Sequence, residues 1–300
     1  MNNALSFFRV FFFLFVFSRL FGIEISLSQK PFVVLITSYN NEKFTKKCIL
    51  SALNQEYLNY RIIFINDCSS DNTLKILEET VKNHAKVNLV KIIDNQERKL
   101  GLRNYYEEIV YHTNDEEIIV CLDGDDVLAN DEVLQILNNV YQQKDKEVWL
   151  TYGQFKTISN MQKGWNIDIP KKIVFSGDFR KFYMVPTHLR TFYSWLFKKI
   201  KKEDLLYQGK KFYEMTWDCA FMFPMLEMCG DRFKFIEKIT YLYNDSNPIN
   251  DHKVNLGLQR FYYKHIQGLR KYKKLNHDIF SKCQQNTCRV CNPLGDVYCD

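Results

Sequence analysis

From residue 31 onward, short apolar runs rich in branched side chains alternate with segments whose apolar positions recur every three or four residues. The runs lie at 32–36, 61–65, 88–93, 118–122 and 148–152. Between them Phe44, Cys48, Ile49 and Leu53 make one helical stripe, Leu74, Ile76, Leu77 and Val81 a second, and Leu134, Leu137 and Val140 a third. Strand-helix alternation of this kind predicts an α/β fold with a mainly parallel sheet. The stripes are read as core-facing and carry no chemistry. After about residue 153 the alternation fades into a region dense in aromatics and lysines, with one strongly apolar helix expected over 217–228 and a last helical stretch over about 254–272. No internal repeat interrupts the chain.

Composition adds limits to that picture. A chain of 300 residues, 46% hydrophobic and 25% charged, is that of a folded protein with room for a large core. The formal charge of +6 is carried partly by lysine pairs such as Lys198-Lys199, Lys201-Lys202 and Lys210-Lys211. Most of this reads as a solvated face, and its functional reading is attraction to anionic lipid or to a phosphate-bearing acceptor. No recognition module accompanies the basic residues, so nucleic acid is not an expected partner.

Residues 10–17 have no polar side chain, Arg9 precedes them and Ser18-Arg19 follow. The run is shorter than the roughly 20 apolar residues that span a bilayer. It fits the apolar part of a signal peptide, with Ser26-Leu27-Ser28 in cleavage-site spacing, or an interfacial anchor. The expectation is therefore a protein that is membrane-associated or exported through this segment, with a membrane surface as a partner. Of nine cysteines, Cys48, Cys121, Cys219 and Cys229 read as buried free thiols. Cys283, Cys288, Cys291 and Cys299 crowd the tail around one CxxC, which suits either a zinc ion or disulfide staples.

In an open parallel sheet, ligands gather at the carboxyl ends of the strands, where helix amino termini aim their N–H groups. Three polar motifs fall there: Thr37-Ser38-Tyr39-Asn40-Asn41, Asn66-Asp67-Cys68-Ser69-Ser70-Asp71-Asn72-Thr73 and Asp123-Gly124-Asp125-Asp126. Three carboxylates on one tight turn repel one another unless a cation or strong donors compensate them. Hard oxygen ligands suit magnesium or manganese, which also bind a nucleoside diphosphate. In the second motif Ser70 or Asp71 is expected to cap the helix beginning near Asn72, leaving Asp67 free to accept from a base edge.

The order of these motifs, together with Gly101-Leu102-Arg103-Asn104, resembles family two of the glycosyltransferases over about 31–152 and more loosely to about 254. The resemblance implies a GT-A (Rossmann-like) fold, a nucleotide-sugar donor, commonly a UDP-sugar, a divalent metal (Mn2+ or Mg2+) and inversion at the anomeric carbon. With the apolar leader and the tail set apart, the chain is expected to divide into a signal peptide or anchor (1–28), a nucleotide-sugar-binding half (29–153), an acceptor-side half of the same domain (154–253), and a C-terminal helix with a cysteine-containing tail (254–300). Position by position the resemblance assigns Thr37, Tyr39 and Asn40 to the donor, Asp67 to the base, Arg103 to the diphosphate and Asp123 to ribose or sugar hydroxyls. Asp125 becomes a metal ligand, joined by a late histidine, His252. Asp218, in Glu214-Met215-Thr216-Trp217-Asp218, becomes the base that deprotonates the acceptor hydroxyl. His188, Arg190 and Trp217 fall on the acceptor side, the acceptor being a glycan or lipid-linked hydroxyl. Thr37 stands where the family often has proline, and the cysteine-rich tail has no counterpart in its pattern.

Two alternatives compete. A non-catalytic nucleotide-sugar-binding protein has little reason to keep clustered acids at Asp123, Asp125 and Asp218. A nucleotidyltransferase would more usually carry a glycine-rich basic loop after the first strand.

Overall fold

The computed structural model describes residues 29–182 and 186–276. Its centre is one eight-stranded sheet in the order β3-β2-β1-β4-β7-β6-β10-β5. The strands are β1 (Phe32–Ser38), β2 (Tyr60–Asn66), β3 (Val90–Asp94), β4 (Ile118–Asp123), β5 (Val127–Leu128), β6 (Leu150–Thr157), β7 (Thr191–Tyr193) and β10 (Phe233–Tyr243). Neighbours β3, β2, β1 and β4 run parallel, as do β6 and β10, while β7 pairs antiparallel with both β4 and β6. A separate hairpin joins β8 (Leu206–Tyr207) to β9 (Lys211–Phe212).

The helices are α1 (Glu42–Leu53), α2 (Thr73–Lys82), α3 (Leu100–His112), α4 (Val133–Tyr141), α5 (Lys171–Ser176), α6 (Ser194–Lys198), α7 (Trp217–Cys229), α8 (Asp251–Val254) and α9 (Leu256–Gly268). Strand β1 is apolar and buried along nearly its whole length, because helices cover both faces of a central parallel strand. Helix α1 buries Thr45, Cys48, Ile49, Ala52 and Leu53, so Thr45 takes the inward place expected of Phe44. Helix α7 is buried from Cys219 to Cys229 all round, the pattern of a central helix. Its far end is fixed by an ion pair: Arg180 donates to both carboxylate oxygens of Glu227 at 2.7 and 3.0 Å and to Ile266 O at 2.6 Å.

Two strands beyond residue 153 escape a reading by pattern. In β10 the register against β6 shifts between Ile236 and Ile239 and again before Tyr241, which breaks the two-residue alternation. Strand β7 is three residues long, too short to show a period.

Cys48, Cys121, Cys219 and Cys229 are free and buried, as their apolar surroundings suggested. The expected membrane association or export through the apolar leader is corrected: among the described residues no helix is long and apolar enough to cross a membrane. The leader at 1–28, like Cys283, Cys288, Cys291 and Cys299, lies outside the described residues.

Candidate active site

The first two polar motifs are tied to each other before they can offer much to a ligand. Asn40 Oδ1 accepts from Ser70 N at 2.8 Å, and Asn40 N donates to Ser69 Oγ at 2.9 Å. The amino termini of α1 and α2 are capped crosswise. Asp71 accepts from Thr73 N on α2 and from Glu42 N on α1, each at 3.0 Å, while Glu42 accepts from Asn72 N at 3.1 Å. These acceptors satisfy donors that a helix leaves open, each contributing about 1 kcal/mol.

Asp67 is buried and does not stand free. Its oxygens accept from Lys99 N, Leu100 N and the Asn95 amide at 2.8 to 2.9 Å, which fixes the start of α3 against the end of β2. Thr37 O accepts from Gly124 N at 3.0 Å and holds the acidic turn against β1. A Cβ at Gly124 would fall 2.4 Å from the Ser38 Cβ, so glycine is required where the turn meets the strand.

Beyond these ties opens a cavity of about 660 Å3, bordered by Tyr39, Asp123, Asp125, Arg190, Trp217 and Asp218 among others. The three acids of the turn have separate surroundings. Asp126 is buried and closed: Tyr241 Oη and Asn244 N each donate to it at 2.6 Å. Asp125 accepts from the Asn247 amide through one oxygen only, at 2.7 Å. Asp123 faces Arg190 and His188 at 3.8 and 3.7 Å. Burial pushes the Asp125 carboxyl up to about 6, with the Asn247 amide opposing and the Asp123 charge adding. Burial also raises Asp123 and, together with both neighbouring acids, lifts Asp126 well above the carboxylate range.

Opposite the turn, Arg190 Nη1 donates to Asp218 Oδ2 at 3.0 Å. Burial works against its charge, but Asp218 and Asp123 outweigh that and keep it protonated. Asp218 sits in the first turn of α7, and its other oxygen accepts from Cys219 N. His188 lies parallel to the Tyr241 and Tyr243 rings, and burial next to Arg190 holds it neutral. His188 Nδ1 and Arg190 Nε are buried without a hydrogen-bond partner. Such orphans are uncommon in folded proteins, and both of these residues border the cavity.

Divalent metal fits this donor set. Ligand atoms of Asp123, Asp126 and His188 lie within 4.8 Å of one another, and carboxylates with a neutral imidazole suit manganese or magnesium. Because both Asp126 oxygens already accept strong hydrogen bonds, the open oxygen of Asp125, Asp123 and His188 Nδ1 are the better candidates. The side chain of His252 lies outside what is described. Its segment contributes Asn247 and Asp251 to the cavity wall, and burial with the Asp218 and Asp123 charges pushes Asp251 up to about 6.

Arg103 is not brought to this cavity. On the first turn of α3 it pairs with Glu107 at 2.8 Å, one helical turn on, and with Glu97 at 3.5 Å. The cation that enters is Arg98, whose guanidinium lies 3.4 Å from the centre of the Tyr39 ring. Nothing in the sequence separated Arg98 from Arg103, since the path of the loop between β3 and α3 decides which one turns inward. Asn247 and Asp251 escaped the sequence reading because neither belongs to a recognisable motif in that polar loop. Trp217 borders the cavity and packs on Gly101, where a Cβ would fall 2.8 Å from its ring.

A curled, mainly parallel sheet with an acidic turn after β4 and an acid at the start of a buried helix across a cavity defines the GT-A class. The chain belongs to glycosyl transferase family 2, whose model matches residues 33–223. It is 29% identical over 126 residues to an uncharacterized glycosyltransferase of Haemophilus influenzae, covering 41% of this chain and 46% of that protein. The match thus spans less than half of that relative's length. Staphylococcus aureus TarS in complex with UDP-GlcNAc superposes with a TM-score of 0.52 at 16% identity, covering 72% of this chain and 59% of that one. The mannosyltransferase PcManGT of Pyrobaculum calidifontis, in complex with GDP-Man and Mn2+, gives 0.52 at 14% identity over 89% of this chain and 67% of its own. At such identities the likeness is one of fold.

Proposed function

We propose that this protein is an inverting glycosyltransferase that moves a sugar from a nucleotide-sugar, a UDP-sugar in the first instance, to a hydroxyl of a glycan acceptor. The observation that carries the reading is one cavity holding Asp123 and Asp125 on one wall and Asp218 on another, with the buried Arg190 between them. Two carboxylate sites with distinct partners suit a single displacement, in which one side holds the donor and the other takes a proton.

Donor recognition falls to the ends of β1 and β4. Tyr39 offers a ring face to the base once Arg98 moves off it, and Asp123 accepts from ribose or sugar hydroxyls. Asp67 sets the position of the β3–α3 loop through its three N–H donors and so shapes the base pocket. Thr37 and Asn40 act through the same loops. Arg190 Nε supplies a donor for the diphosphate or the transferred sugar. Asp125, with Asp123 and His188, would hold a divalent cation, which when bound supplies positive charge for the departing diphosphate.

Asp218 accepts the proton of the attacking hydroxyl as the new glycosidic bond forms and the anomeric bond to phosphate breaks on the opposite face. Arg190 fixes one Asp218 oxygen and Cys219 N the other, so the carboxylate is oriented before the acceptor arrives. Trp217, beside it, gives the acceptor ring a flat apolar wall.

The test is nucleotide release from a panel of UDP-, GDP-, ADP- and dTDP-sugars by the full chain, with Mn2+, Mg2+ or chelator, beside Asp125→Ala. Release of one nucleotide that needs metal and is lost in the variant is the expected result. Release that persists in chelator would remove the metal from the account. Failure of every donor to bind would remove the transferase reading.

A further inference from the structure

A second cavity, of about 700 Å3, shares Arg98 with the first. Arg98, Lys99 and Arg103 border it from the start of α3, Lys202 from the turn before β8, and Lys210 and Lys211 from the β8–β9 hairpin. Among the described residues of the wall only Glu107 and Glu214 oppose these six cations, and from outside it Asp67 and Glu97 pair with Arg98 and Arg103 at 3.8 and 3.5 Å. Glu107 is already engaged with Lys99 and Arg103. Lys202 lies 5.4 Å over the Tyr106 ring. Among the described residues Lys210 and Lys211 make no ion pair, and the turn between β8 and β9 holds both on one wall. Cations gathered in a concave wall repel one another and focus a positive potential, a cost relieved by an anionic ligand.

The same wall carries aromatic surface. Tyr106 meets Phe212 at 5.5 Å, and Tyr111, 64% exposed, stands edge-on to Tyr106 at 6.3 Å. Ring faces are electron-rich and attract the slightly positive C–H faces of sugar rings. Flat apolar rings interleaved with unpaired ammonium groups suit a saccharide that carries charge better than a neutral one. The cavity also points the right way along the chain: Glu214 lines it, and Asp218 follows four residues later on the wall of the first cavity.

We propose that this second cavity is an acceptor subsite for an anionic glycan, a saccharide chain bearing carboxylate or phosphate groups that sit on Lys210 and Lys211. Its rings lie on Tyr111 and Phe212, and the chain passes Arg98 to present a hydroxyl to Asp218. The acceptor role rests on the transferase reading above. The saccharide site itself does not, and the two fail in different experiments.

The experiment is fluorescence anisotropy with the full chain at low salt, using labelled hexagalacturonate as the carboxylate probe and a labelled mannose-6-phosphate oligosaccharide as the phosphate probe. Neutral maltohexaose and single-stranded dT12 are the controls, and UDP binding is followed in parallel by calorimetry. At least one charged saccharide is expected to bind more tightly than both controls. In a Lys210→Glu/Lys211→Glu variant that binding should weaken by about tenfold or more while UDP binding is unchanged, since the hairpin lies outside the donor cavity. The arm that binds tells carboxylate from phosphate. Charged saccharides that bind no better than maltohexaose, or equally well to the variant, would overturn the proposal, as would tighter binding of dT12. Charge-dependent saccharide binding with no calorimetric binding of UDP, GDP, ADP or dTDP in the wild type would refute the acceptor role and the transferase reading together. Should the double variant fold poorly, Lys211→Gln alone should show a smaller loss in the same direction.

Discussion

Helix α7 is gripped by a buried arginine at each end, and the two grips differ. At the far end Arg180 and Glu227 are 3% and 2% exposed, and both carboxylate oxygens are met. Glu227 accepts a further bond from Tyr272 N, and Arg180 donates to Ile266 O. At the near end Arg190 is equally buried, but its carboxylate partners Asp218 and Asp123 are 25% and 27% exposed and open to the cavity. Arg190 Nε is left without a partner. The same pair of functional groups thus serves as architecture where every valence is filled and, in the proposed reaction, as chemistry where valences remain open towards a space.

Breaking the closed grip should have the largest effect on folding. Glu227→Ala leaves the Arg180 charge buried and unpaired, and should cost about 3–5 kcal/mol of stability in denaturant unfolding. Nucleotide release per folded molecule should stay near the wild-type value, since Glu227 is remote from the cavity wall. Arg190→Gln should reverse the balance. Release slows by about 10²–10³, the loss typical of one preorganised polar donor. Stability falls less than in Glu227→Ala, because Asp123 and Asp218 can take up water. A larger stability loss in Arg190→Gln than in Glu227→Ala would contradict the division.

The acidic turn sharpens the contrast further through pH. The Asp125 carboxyl is raised from its usual 3.8 to about 6 in the fold. The native state therefore binds more protons than the unfolded chain between about pH 4 and 6. The stabilisation this group gives is complete at low pH and lost as pH rises through 6, on the order of 3 kcal/mol. Mn2+ competes with that proton. The rise in unfolding temperature on adding Mn2+ should be largest near pH 7.5 and shrink towards pH 5, as scanning calorimetry would show. A shift independent of pH would place the ion away from Asp125. The smallest effect belongs to the crosswise caps: Asp71→Ala should lose about 1 kcal/mol without changing donor turnover at saturation.

Much of the chain up to residue 153 was legible because its signals are local. Buried parallel strands appear as unbroken apolar runs, helices as stripes, and a β-strand end as the polar motif that follows it. Asp123 and Asp125 stand out the same way, beside a recognisable strand end, whereas Asp218 was singled out by the family resemblance. What the sequence hid depends on distant contacts. Asp126 looked equivalent to Asp125, and only Tyr241 and Asn244, more than a hundred residues on, make it structural. Asp67 looked free because its donors come from the start of α3. The β10 strand was masked by its own register shifts, and the choice of Arg98 over Arg103 lay in the path of a loop.

The most direct test of the proposed chemistry separates holding the donor from using it. With the productive donor and Mn2+ in hand, calorimetric donor affinity and the rate of transfer or nucleotide release are measured for the wild type and for Asp218→Asn. Asparagine keeps the size of the side chain and a bond from Arg190 but cannot take the acceptor proton. Unchanged affinity with a rate lower by about 10²–10⁴ is the predicted outcome. Equal rates in the two proteins would contradict the assignment of Asp218 as the base.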